Sequence, residues 1–207
     1  TGSVDVRMRV SSTSAMVTLG FAGAAAPFDP LILLIIAMGI EAYIGEARFI
    51  FSRVKHPVAI LGTMIGFFDD KLNRPKRSQV DRAVRGTFVV IFMVSFAVAV
   101  GIGVMWLTLH FTWGWVLECA LLVTLLAGRG LYDAVARVAK GLEIGGLEGG
   151  REAVRHIVGR DPKSLDAPGI ARAAVESLAE NFSDAVAAPV FWYVLLGFPG
   201  ILVYKTV

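Results

Sequence analysis

Residues 171–205 read ARAAVESLAENFSDAVAAPVFWYVLLGFPGILVYK. The first part places charged residues four apart, and residues at that spacing on a helix drift by only about 40° around the axis. Arg172, Glu176, Glu180 and Asp184 therefore share one ridge, with Ser177 and Asn181 widening its polar side. Ile170, Ala174, Leu178 and Phe182 form an apolar ridge, flanked by Ala171 and Val175, that is expected to pack on protein or on the bundle. The second part, 185–204, has twenty residues and no charge, about the length needed to cross a bilayer. A carboxylate-bearing helix thus runs straight into a membrane-length apolar segment.

The rest of the chain agrees with an all-α integral membrane bundle. Hydrophobic residues make up 56% and charged residues 18%, against about 45–50% and about 25% in soluble domains. The apolar residues fall in long blocks, and neither β-type alternation nor an internal repeat is visible. Four membrane segments are predicted: 30–45, 87–109, 113–127 and 185–204, the last with Pro189 and Pro199 as kinks or breaks. The first and third are short and carry Glu41 and Glu118, acids that cost about 3 kcal/mol at mid-membrane. Residues 1–29 form an N-terminal extension that imitates a weak signal peptide and is expected to be poorly ordered. Residues 30–207 form the membrane domain.

Loop charge orients the bundle. The link 46–86 carries nine Lys or Arg residues and the link 128–184 carries eight, whereas 110–112 has none. The positive-inside rule puts both long loops in the cytoplasm. The second reads as a small helical domain: a helix over 131–142 ending near Gly145-Gly146, another over 147–158 stopped by Gly159, and a third capped by Asp166 with Pro168 in its first turn. These cations explain the net charge of +3 without nucleic acid, since no basic stripe is interleaved with aromatics. The single cysteine, Cys119, excludes an intrachain disulfide and any multi-cysteine metal site.

The acidic ridge has a bland reading as a solvated helix face and a functional one as a site. Three like charges at this spacing repel, and a metal ion or cationic substrate relieves that repulsion; hard oxygen donors suit magnesium better than zinc. Arg160, in the turn Val158-Gly159-Arg160-Asp161-Pro162, has forked donors that fit a phosphate or carboxylate, or it only fixes the turn with Asp161. His56, before Pro57 in the first long loop, is structural or an acid–base group. P-loop, GxSxG and HExxH patterns are absent from the sequence.

Taken together, these residues resemble the adenosylcobinamide-phosphate synthase family of cobalamin biosynthesis, an integral membrane family. The resemblance runs through His56-Pro57-Val58 and Gly62, Leu72-Asn73-Arg74, and Val158-Gly159-Arg160-Asp161. It closes with Ala173 to Ser177, Ala179-Glu180-Asn181, Ser183-Asp184, Ala188-Pro189, Phe191-Trp192-Tyr193 and Gly197 to Gly200. Glu41 departs from it, standing where an aspartate is usual, and an Asn-Thr-x-Asp segment with further membrane helices is expected beyond Val207.

The resemblance implies ATP-dependent amide formation between adenosylcobyric acid and aminopropanol or its phosphate, with magnesium. Mapped onto that reaction, Glu176, Glu180 and Asp184 are the candidate catalytic residues, with Glu180 and Asp184 also as metal ligands. His56, Arg160, Asp161, Arg172 and Asn181 are the candidate substrate-binding residues. The implied partners are the corrinoid, the amino-alcohol, the lipid bilayer of a bacterial inner membrane and other corrinoid-assembly enzymes. The alternatives are a noncatalytic membrane sensor of the same fold, as in the distantly similar family linked to β-lactamase induction, and a small transporter using Glu41 and Glu118.

Overall fold

The computed structural model describes residues 29–45, 57–74, 77–159 and 161–207. Helix α1 is Pro30–Ile44, started by Asp29, whose side chain accepts the Leu31 N–H at 2.7 Å. Helix α2 is Pro57–Leu72, and α3 is Gln79–His110, started by Ser78. Next come α4, Gly114–Leu125, and α5, Gly128–Val154. A 3-10 turn at Pro162–Ser164 leads to α6, Ala167–Phe182. A π-helical turn, Ser183–Ala187, then passes into α7, Ala188–Thr206. The described residues contain no strand.

Two apolar cores follow from this order. One joins α1, α3, α4 and α7 through Leu33, Ala37, Ala97, Leu122, Tyr193 and Ile201. The other joins α5 to α6 through Val138, Val154, Ile170, Ala173 and Ala174. At 1.5 Å per residue, the 32 residues of α3 reach about 48 Å, beyond the hydrocarbon thickness of about 30 Å. Its outward side keeps Phe88, Ile91, Phe92 and Ile102 exposed, as a lipid-facing helix requires. Three helical runs are long and apolar enough to cross a membrane: Gln79–His110, Gly114–Val154 and Ala167–Thr206. Pro30–Ile44 is a shorter apolar helix.

Two of these runs reverse direction. At Gly146 the backbone takes φ 60 inside α5, a left-handed conformation that glycine adopts without steric cost. The two arms then pack so closely that a Cβ on Gly141 would lie 2.6 Å from the Gly149 carbonyl oxygen. This reversal falls where the Gly145-Gly146 pair predicts a helix end.

The second reversal corrects the reading of 185–204 as a crossing segment. Gly197 has φ 68, and the ring of Pro199 leaves no N–H to continue the ladder. The chain folds back, so that a Cβ on Gly200 would overlap the Trp192 carbonyl. Tyr204 Oη lies 3.3 Å from Asp184 Oδ1, whereas a straight helix would separate residues this far apart by about 30 Å. Helix α7 is therefore a re-entrant hairpin, and its last turn returns to the level of its start. The break predicted at Pro199 is present, and its consequence is reversal rather than a kink.

Buried carboxylates tie the helices together. Glu118 receives Thr108 Oγ on one oxygen and Tyr193 Oη on the other, both at 2.7 Å, and so ties α3, α4 and α7 together. Glu41 accepts the Arg129 N–H at 2.9 Å, closing the start of α5 where Leu126 and Ala127 leave the helix. Gly128 packs against Glu41 and Val186, so the end of α1, the start of α5 and the α6–α7 junction meet at one end of the bundle.

Seating of the hairpin depends on Gly101 in α3, where a Cβ would lie 2.5 Å from the Pro199 Cα. Gly101→Val is expected to overpack this contact and destabilise the bundle by about 1–3 kcal/mol. The readout is thermal unfolding in detergent; an unchanged midpoint would show that α3 and Pro199 do not meet.

Candidate active site

Helix α6 is built as its sequence demands. Asp166 caps it, accepting the Gly169 N–H at 2.8 Å, and Pro168 sits in the first turn, where its missing N–H costs nothing. Its buried face is Ile170, Ala173, Ala174 and Ser177. The expected apolar ridge is thus displaced: Val175 is 62% and Phe182 50% exposed. Ser177 supplies the polar tie on the buried face, donating from Oγ to the Ile157 carbonyl at 2.6 Å. Asn181 Nδ2 donates to the Ser177 carbonyl at 2.8 Å and reaches its Oγ at 3.2 Å.

This tie sets the chain after α5 against the polar side of α6. Between them opens a cavity of about 350 Å3 walled by Val158 and Gly159 on one side. Glu176, Glu180, Asn181 and Asp184 line the other side. The three carboxylates predicted to act together therefore do share one cavity, and all three are exposed to it and to solvent. Asp184 lies on the π-helical turn, an irregularity common at functional sites.

The remaining candidates fall elsewhere. Asp161 caps the 3-10 turn, accepting the Lys163 N–H at 3.1 Å, and lines a separate cavity with Arg151 and Arg155 on the far side of the Val158–Gly159 wall. Arg172 is exposed and lines neither cavity. His56 and Arg160 lie outside the described residues.

Two residues absent from the sequence reading join the site through the hairpin. Tyr204 donates its hydroxyl to Asp184 Oδ1, and Lys205 Nζ donates to the Asp184 carbonyl at 3.2 Å. The available signal was the pairing of Gly197 with Pro199, which ends a helix and permits a turn back.

Among the described residues no three His, Cys, Asp or Glu side chains lie close enough to form a metal cage. Glu180 and Asp184 offer a sparser donor set. Magnesium is commonly held by one or two carboxylates together with waters and substrate phosphates. The donor set suits a metal that arrives with a phosphate.

Residues 34–207 match the family described as CobD/Cbib protein. The chain belongs to that family. A cobalamin biosynthesis protein CobD of Sinorhizobium sp is 46% identical over 181 residues, covering 84% of this chain and 54% of the relative. One from Rhizobium meliloti (strain 1021) is 43% identical, covering 84% and 54%. One from Rhodobacter capsulatus is 40% identical, covering 84% and 55%. The chain thus spans about half the length of the curated relatives it matches. No solved structure matches it. The CobD/Cbib match runs through both cores and the whole acidic cavity.

The Ser177 tie governs the shape of this CobD/Cbib cavity. Ser177→Ala removes one buried hydrogen bond and leaves the Ile157 carbonyl without it, at about 1–3 kcal/mol. Faster amide exchange across 157–165, with the bundle helices still protected, is the expected outcome. Unchanged exchange in that segment would show that the hydroxyl does not hold the wall.

Proposed function

We propose that the chain takes part in cobalamin biosynthesis as a membrane-bound, amide-forming ligase. It would join a carboxylate of adenosylcobyric acid to aminopropanol or its phosphate, with ATP as the source of activation. The observation that carries this reading is the convergence of Glu176, Glu180, Asn181 and Asp184 on one open cavity beside a re-entrant hairpin. Family membership supports the pathway, and the residue chemistry supports the reaction type.

A carboxylate and an amine do not condense unaided in water, so the carboxylate must first carry a leaving group. Attack of a carboxylate oxygen on the γ-phosphorus of ATP forms an acyl phosphate, breaks the bond from that phosphorus to the bridging oxygen, and releases ADP. Attack by the amine then forms the carbon–nitrogen bond, breaks the carbon–oxygen bond to phosphate, and releases phosphate and one proton. Glu176 takes that proton as general base. Glu180 and Asp184 would hold magnesium, which neutralises phosphate charge when bound. Asn181, fixed on Ser177 by its amide nitrogen, positions the adjacent acids. Arg160 and His56 would contribute to binding the anionic groups, whereas Asp161 lines the neighbouring cavity and Arg172 lines neither. Lys205 places a cation beside the Asp184 backbone.

Size constrains how the substrate approaches. A cavity of about 350 Å3 is at the small end of the range for drug-sized ligands, about 300–1,000 Å3. A corrinoid is far larger, so its ring would lie across the mouth and a single carboxylate arm would enter. The long basic loops would face the cytoplasm of a bacterial inner membrane, where ATP is available and where other corrinoid-assembly enzymes could hand over substrate. Transport through Glu41 and Glu118 is less well supported, because both carboxylates are taken up by protein donors within the bundle.

Glu180→Gln and Asp184→Asn are each expected to lower amide product by about 10²-fold or more, with the fold retained by circular dichroism. Chelation of magnesium should stop the wild-type reaction reversibly. Product measured by mass spectrometry at near-normal rates in both variants would remove these acids from the mechanism.

A further inference from the structure

Helices α2 and α3 enclose another cleft between them, of about 530 Å3, lined by none of the acidic-cavity residues. One part of its wall is apolar, with Ile65, Phe68 and Val89. The other part is polar, with Asp69, Asn73, Gln79 and Arg82. Phe68 meets Phe92 edge to face at 5.4 Å between ring centroids, which holds α2 against α3 along the apolar side.

The cations around this cleft are not equivalent. Asp81 pairs with Arg77 at 3.7 Å and with Arg85 at 3.0 Å. Arg82 has no carboxylate partner among the described residues; its Nε donates to the neutral Asn73 Oδ1 at 2.6 Å. Asn73 in turn is held by its Nδ2 donating to Asp69 Oδ1 at 2.9 Å. The terminal amino groups of Arg82 are thus left for an anion, at a position fixed by the Asp69–Asn73 pair. Residues 69–85 carry six Lys or Arg against three Asp, a net +3 equal to that of the whole chain.

Height along α3 identifies the anion. The charge-free run of α3 starts at Gly86, and Arg82 lies four residues earlier, about 6 Å along the axis. That is the thickness of one headgroup layer, since the bilayer measures about 40–45 Å with headgroups and about 30 Å without them. The apolar wall at Val89 then lies at the level where acyl chains begin. We propose that this cleft binds an anionic phospholipid, its phosphate on Arg82 and Asn73 and the top of an acyl chain against Phe68 and Val89. A lipid fits both parts of the wall, whereas a free phosphate would use only the polar one.

The test uses native mass spectrometry of the purified protein titrated with phosphatidylglycerol or phosphatidylcholine. Phosphatidylglycerol should be retained at least about fivefold more strongly, in keeping with attraction of anionic lipid by basic segments next to a membrane helix. Arg82→Gln should remove that preference. Gly86→Leu provides the second arm: Gly86 lines the cleft, and a Cβ there has nothing within 4 Å. The leucine would fill the cleft without altering charge or helix geometry, and should also abolish retention. Binding lost in Arg82→Gln but kept in Gly86→Leu would reduce the effect to surface charge and overturn the proposal. Equal retention of phosphatidylcholine, or displacement of the lipid by millimolar inorganic phosphate, would overturn it as well.

Discussion

A buried carboxylate sets the architecture. Glu118 is reached by a threonine from α3 and a tyrosine from α7, and in hydrocarbon those hydroxyls have no water to turn to. Leaving any of the three groups unpaired would cost about 1–3 kcal/mol each, more if charged. The three helices are thus locked in one mutual arrangement, and the ascending arm of the α7 hairpin is held at a defined depth. Cores of leucine and alanine alone would allow that arm to slide, because lipid tails are as apolar as the side chains it packs against.

The depth of the hairpin matters because its returning arm ends at the site. With Tyr193 pinned, reversal at Gly197 delivers Tyr204 and Lys205 to Asp184. Membrane bundle and acidic cavity are therefore mechanically joined, although their apolar cores are separate. Glu41 performs a similar service at the other break, where its carboxylate closes the start of α5. Irregular backbone at membrane depth survives only where protein satisfies it; at the α4–α5 break Glu41 does so through the Arg129 N–H, while Glu118 holds the α7 hairpin through the Tyr193 side chain. That gives Glu41 and Glu118 a structural use, and accounts for acids in otherwise apolar segments.

Legibility of the site followed the range of the interactions that make it. The shared ridge of Glu176, Glu180 and Asp184 is a property of helix pitch, and Asp166 and Pro168 mark the start of that helix by local rules alone. Ser177 was read as part of the polar side, yet it is buried, because its partner is the Ile157 carbonyl on a different element. Asp161 was placed among the substrate-binding candidates by its place in the motif, yet the Val158–Gly159 wall separates it from the acidic cavity.

The sequence by itself determined the fold class, the apolar segments, the helix end at Gly145-Gly146, the acidic face of α6 and the family. All of these rest on periodicity, composition and motifs that act within a few residues. Only the tertiary structure decided that 185–204 turns back instead of crossing, that Tyr204 and Lys205 belong beside Asp184, and which acids face a common cavity. Charge-free length is the same for a crossing helix and a re-entrant hairpin. The difference lies in a single left-handed glycine and in the distant groups, Gly101 and Glu118, that accept the folded arm.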